Sequence, residues 1–175
     1  SHPVPTFAVT LLTLLLAIAF GVPPFQAVIV IVAVFFNQIA IGLSNDIADL
    51  GRDRRAGRAD KPLVTGDVPL SRAWAVVIGA TVLSLALSVG INPWVGAWQA
   101  VFLFSGFAYN AGLKATLFSA VPYATGFAAL PALVSLSAQP PAWPSWWVML
   151  IGAILGVSAH FANVLPDEES DKAEG

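Results

Sequence analysis

Residues 44–66 read SNDIADLGRDRRAGRADKPLVTG, and this stretch holds nine of the eighteen charged residues in a chain of 175. It lies between two long apolar segments, and similar segments fill most of the remaining chain. No Asp, Glu, Lys or Arg occurs over 1–45, 73–113 or 115–166. Charged residues make up 10% of the chain and hydrophobic ones 57%, whereas soluble domains are roughly a quarter charged. Charge-free runs of this length exclude a soluble core and predict a polytopic membrane protein.

Turn signals divide the apolar sequence. GVPP at 21–24, INPW at 91–94 and AQPPAWPSWW at 138–147 each end one span and open the next. Six transmembrane helices are predicted, at about 6–22, 25–50, 70–91, 93–110, 115–137 and 145–166. Helices are required because lipid offers no partner to an open backbone, and the runs are too long for barrel strands. The fold class is therefore all-α, a polytopic transmembrane helical bundle. Trp94, Trp98, Trp143, Trp146 and Trp147 suit an interfacial belt.

With six alternating spans, the ends of the second, fourth and sixth face one side. All charge falls there: 46–72, Lys114 and 167–174. Arg52, Arg54, Arg55, Arg58, Lys61 and Arg72 assign that side to the cytoplasm. The expected location is the cell membrane, multi-pass, with the polar side facing the cytoplasm. Cysteine is absent, so thiol chemistry is excluded. No nucleic-acid partner is expected. A chain that opens on Ser and ends in a polar tail directly after a span reads as part of a longer protein, and the first span has no signal-peptide pattern.

Within the opening stretch, Asn45, Asp49 and Asp53 are spaced four apart, which stacks them along one helix face. Like charges at that spacing repel unless something positive lies between them. The segment NVLPDEESD at 163–171 repeats the pattern in Asn163, Asp167 and Asp171, at the end of another even-numbered span. Two such triplets on one membrane side can surround a single cavity with carboxylates. Hard oxygen ligands suit Mg²⁺, which shares its remaining positions with phosphates. Pro166 is expected to loosen the helix before Asp167. Arg54, Arg58, Lys61 and Lys114 stand opposite the acids, and metal-binding acids beside cations point to a diphosphate. A diphosphate at the mouth of an apolar bundle implies a lipid-tailed ligand, and an allylic isoprenoid diphosphate fits both ends.

These residues resemble a known family. The stretch 45–66 resembles the first signature of UbiA-type intramembrane prenyltransferases, N-D-x-x-D-x3-D-R followed by G-R-x-x-[KR]-P-L-x-x-G. The resemblance implies that Asn45, Asp49 and Asp53 bind Mg²⁺, with Arg58 and Lys61 near the diphosphate. The segment 163–171 resembles the second acidic signature, implying Asp167 and Asp171 as the other metal-binding pair. YNAGLK at 109–114 is similar to the family's Tyr/Lys motif, with Tyr-x4-Lys where Tyr-x3-Lys is common. It implies that Tyr109 and Lys114 touch the diphosphate or the reacting carbon. Residues 1–175 then form one transmembrane prenyltransferase domain, incomplete against the nine helices usual in the family, with 51–69 as a cytoplasmic cap loop. The implied activity is transfer of an isoprenyl group to a hydrophobic, aromatic acceptor within the bilayer.

Several single residues have two readings. His160 shares a face with Asn163 and either meets the acceptor or is a hydrogen-bonded buried histidine. Asp46 lies about 100° from Asn45 around the helix and is expected to pair with an arginine or to support the site. Pro122 and Pro131 are expected to kink the fifth span. Gly42, Gly106, Gly112 and Gly126 are expected at close helix contacts. Two rival functions remain. A transporter would place its acids near the midplane of the bilayer. A CDP-alcohol phosphotransferase needs a D-G-x2-A-R spacing, and none occurs at Asp46 or Asp49.

Overall fold

A computed structural model of the chain describes the backbone of residues 3–174 and the side chains of residues 4–164. Among these residues there are seven α-helices and no strand: α1 Pro3–Ala19, α2 Pro24–Arg55, α3 Pro62–Thr65, α4 Leu70–Ile91, α5 Pro93–Asn110, α6 Val121–Ser135 and α7 Trp146–Glu174. A 3-10 turn covers Leu113–Ala115. The helices α2, α3, α5 and α6 each carry proline in the first turn, where its missing N–H has no helical partner to lose.

The six predicted spans correspond to the six longer helices, and the differences lie at their ends. The helix α2 continues past residue 50 to Arg55 and stops before Gly57, whose φ of 66° leaves the helical region. The fifth span begins at Val121 rather than 115. Gly112 at φ 136° and a turn in which the Thr116 hydroxyl accepts from the Phe118 N–H hold 111–120 out of the helix. Pro122 therefore opens α6 instead of kinking it, while Pro131 does lie inside it. The helix α7 runs through Pro166 unbroken, against the loosening expected there. One proline removes one hydrogen bond, and the flanking turns carry the helix across.

This is a membrane protein. Three helices are long and apolar enough to cross a bilayer: Pro24–Arg55, Leu70–Ile91 and Trp146–Val164. The helix α2 lies at the centre, packed against α1, α4 and α5, and α6 lies between α5 and α7 while also touching α1. The core joins Val9 of α1, Val30 and Val34 of α2, Val95 and Phe102 of α5, and Leu130 and Leu133 of α6. A smaller cluster of Ala40, Ala80 and Leu103 seats α4. Large apolar side chains such as Ile78, Val82, Phe104 and Ile154 point outward, as expected where the solvent is lipid.

Lipid tails are as apolar as these side chains, so close packing and hydrogen bonds must hold the helices together. Gly152 and Gly156, one turn apart on α7, lie against the backbone carbonyls of Phe127 and Tyr123, and a Cβ at either would overlap them. Gly106 lies against Ile41 and Gly126 against Phe102, as the sequence suggested. Gly42 has open space beside it, and Gly112 serves the turn. Buried Gln99 donates from Nε2 to Ser84 Oγ and to the Ala33 carbonyl, joining α5 to α4 and α2. Asn92 accepts from the N–H groups of Trp94 and Val95 and donates to the Leu136 carbonyl, so it caps α5 and ties it to the end of α6. Beside it, Trp143 packs edge-on to Trp94 and Trp98.

Candidate functional site

The polar end of α2 carries Asn45, Asp46, Asp49 and Asp53, and all three carboxylates are buried. Burying carboxylates without compensation is costly, so the question is what neutralises them. Two lysines from outside the helix do so.

Lys114, in the 3-10 turn after α5, places Nζ 2.5 Å from Asp49 Oδ1 and 3.2 Å from Asn45 Oδ1. Its approach depends on Asn110 at the end of α5, whose Nδ2 donates to the Ile41 carbonyl and to Ser44 Oγ. Those two bonds fix the end of α5 against α2 one turn before Asn45. Asn110 is not among the site residues expected from the sequence, although a polar residue closing an apolar span is a visible signal.

Lys61 comes from the segment between α2 and α4. Its Nζ lies 2.7 Å from Asp53 Oδ2 and 3.2 Å from Asp46 Oδ1. Asp46 thus pairs with a lysine beside the site, where either an arginine partner or a supporting role was expected. Burial pushes the Lys61 ammonium down, but its interactions with the Asp53 and Asp46 carboxylates, to which it donates, outweigh that and hold it above its ordinary value.

The arginines stand further out. Arg52 lies 3.5 Å from Asp49 Oδ2 with most of its side chain exposed. Arg54 is exposed. Arg58 forms a fork with Asp60, Nε at 3.0 Å and the terminal nitrogen at 3.1 Å. That fork keeps the Asp60 carboxyl below its ordinary value.

Three rings from three helices meet at the same end of the bundle. Tyr109 of α5 lies edge-on to Tyr123 of α6 at 5.1 Å and to His160 of α7 at 6.0 Å, and Tyr123 lies 5.3 Å from His160. His160 is buried, with Nε2 3.2 Å from Ser119 Oγ. Asn163 donates from Nδ2 to the Tyr123 hydroxyl at 3.0 Å. The structure therefore brings the residue that opens the second acidic triplet to the end where Tyr109 precedes Lys114. The side chains of Asp167 and Asp171 lie outside the described residues.

The donor set on α2 is all oxygen, one amide carbonyl and three carboxylates, which is the chemistry a hard divalent ion takes. Its oxygens already face cationic nitrogens. Among the described residues, no three His, Cys, Asp or Glu side chains are drawn together around one metal position. Two apolar grooves lie nearby: about 440 Å³ between α2, α4 and α5, with Trp74 and Phe107 in its wall, and about 450 Å³ between α5 and α6. Neither lining includes an acid of the cluster.

Comparison with known proteins adds three findings. Residues 5–175 match the model of the UbiA prenyltransferase family. Over 140 residues the chain is 31% identical to protoheme IX farnesyltransferase 2 of Natronomonas pharaonis, an alignment covering 78% of this chain and 32% of that protein. The apo structure of a UbiA homolog from Aeropyrum pernix K1 superposes with a TM-score of 0.69 at 23% identity, covering 89% of this chain and 58% of that one. The chain thus spans about a third of its curated relative and little more than half of the solved one.

Proposed function

The chain belongs to the UbiA prenyltransferase family, and on that premise we propose that it transfers an isoprenyl group from an allylic isoprenoid diphosphate to a hydrophobic acceptor within the membrane. The observation that carries this reading is the buried oxygen cluster of Asn45, Asp49 and Asp53, faced by Lys61 and Lys114, at one end of an apolar helical bundle. Lipid-tailed substrates with anionic heads need both surroundings at once.

In this reading Asn45, Asp49 and Asp53 hold Mg²⁺, with Asp167 and Asp171 on α7 as the second pair. Bound there, Mg²⁺ would supply positive charge against the departing diphosphate. Lys61 and Lys114 bind the diphosphate oxygens, and Arg54 and Arg58 add positive potential from the exposed segment. Tyr109, with Tyr123 beside it, presents ring surface to positive charge developing at the allylic carbon. The apolar walls keep water from that carbon until the acceptor attacks. The acidic end faces the cytoplasm, since Arg52, Arg54, Arg55, Arg58 and Lys61 cluster there, with 51–69 capping it.

The farnesyl group and protoheme IX in the name of the Natronomonas relative support farnesyl diphosphate as the first donor to try and a tetrapyrrole among the acceptors. The test incubates the intact protein in lipid with farnesyl or geranylgeranyl diphosphate, Mg²⁺ and a panel of quinone-precursor and tetrapyrrole acceptors, reading products by mass. Metal-dependent release of diphosphate with a prenylated product is expected. Absence of both with every acceptor would overturn the reading and favour a transporter.

A further inference from the structure

The two lysines do more than balance charge. Lys114 Nζ donates to Asn45 Oδ1 and Asp49 Oδ1, and Lys61 Nζ donates to Asp53 Oδ2 and forms an ion pair with Asp46 Oδ1 at 3.2 Å. Each ammonium thus spans a pair of α2 oxygens, as a bound cation would. Both side chains are largely withdrawn from solvent, 12% exposed for Lys61 and 23% for Lys114. We propose that Lys61 and Lys114 are tethered counter-ions seated on the metal-binding oxygens, which a divalent cation must displace in order to enter. This rests on the assignment of those oxygens to Mg²⁺ made above.

The chemistry requires an exchange rather than sharing. A divalent ion needs Asp49 and Asp53 oxygens at about 2.0–2.6 Å. An ammonium on the same oxygen would then lie within a few ångströms of it, and like charges that close repel strongly at low dielectric. The displaced lysine has one natural destination, the diphosphate that accompanies the metal. Metal alone therefore meets a competitor already in place, whereas metal with diphosphate gives the released ammonium a new partner. Binding of the two is coupled, and a free divalent ion holds only weakly.

Lys61 also links this exchange to the segment above the site. Between Arg54 and Arg72, Leu63 is the one buried residue, and the backbone bonds from residues 57–69 to α2 are those of Gly57 N–H to the Arg54 carbonyl and Arg58 N–H to the Asp53 carbonyl, both at the start of the segment. The Lys61 bridge is thus a main attachment of residues 57–69 to α2. Its release loosens that attachment when metal enters, and its transfer to diphosphate restores it over the loaded site.

The test measures Mn²⁺ binding to the intact protein in lipid by loss of the free-ion EPR signal, with and without inorganic diphosphate. Lys114→Met and Lys61→Met should each bind Mn²⁺ alone more tightly than wild type, by about three- to tenfold, while binding diphosphate more weakly. A residue that only contacts diphosphate leaves the first number unchanged, and a merely structural one weakens both. In the wild type, where no substitution can disturb folding, saturating Mn²⁺ should raise the rate at which Lys61 or Lys114 is acylated, read by peptide mass. Mn²⁺ binding that Asp49→Asn abolishes, together with unaltered affinity in both lysine variants or unaltered acylation at both lysines, overturns the proposal and leaves the metal assignment standing. No saturable Mn²⁺ binding to the wild type with or without diphosphate, or binding indifferent to Asp49→Asn, overturns both.

Discussion

Lys114, in the 3-10 turn that follows α5, bonds Asp49 on α2 through Nζ and Oδ1 at 2.5 Å. The contact joins two sequence motifs 65 residues apart, and it makes the carboxylate and the ammonium interdependent. Removing either group strands the other in a poorly hydrated place.

Asp49→Asn or Asp53→Asn should lower prenyl transfer by about a hundredfold or more, the scale seen when one preorganised electrostatic group is removed from an active site. Each should also destabilise the fold, by about 1–3 kcal/mol, because a largely buried lysine loses its counter-charge. Turnover with the panel above and thermal unfolding in detergent check both. Near-normal turnover in the two variants would remove these residues from the machinery.

The Lys61 bridge sets a pH window. Its folded-state ammonium is held above the ordinary 10.5, so the group binds its proton more tightly folded than unfolded. Its contribution to stability is then complete below about 10.5 and disappears as pH rises through the folded value. The melting-temperature difference between wild type and Lys61→Met should stay constant from pH 7 to 9.5 and shrink only in stronger alkali. A difference that collapses between pH 7 and 9 would contradict the bridge.

Gly156→Val should loosen α7 from α6, because the added side chain meets the Tyr123 carbonyl and the Phe127 side chain. Overpacking of this kind costs about 1–3 kcal/mol, read as a lower melting temperature. Because Tyr123 also holds Asn163, transfer should fall further than the stability loss alone requires. Gly42→Ala, with open space beside it, should change neither quantity and serves as the control.

Asn92→Ala removes the cap of α5 and the bond to the Leu136 carbonyl together. A loss of about 1–2 kcal/mol is expected, at the end of the bundle away from the acids. Thermal stability should drop while the affinity for diphosphate holds. A matching drop in diphosphate affinity would mean that the two ends of α5 are coupled.

The sequence by itself determined the membrane class, the six long helices and the side on which the charge collects. Those follow from local chemistry: charge-free runs long enough to span, prolines that open helices, and turns that close them. It also marked Asn45, Asp49 and Asp53 as neighbours, because a spacing of four nearly matches one helical turn. Yet each step of four overshoots a turn by about 40°, so Asp53 ends about 80° from Asn45 and only about 20° from Asp46. Only the tertiary structure decided how that drift is used. Lys114, positioned by Asn110, takes Asn45 and Asp49, while Lys61 takes Asp46 and Asp53. Arg58, equally cationic and three residues from Lys61, forks with Asp60 instead. Periodicity fixes angles around one helix, but the partner of a buried charge depends on which distant side chain the packing of other helices delivers.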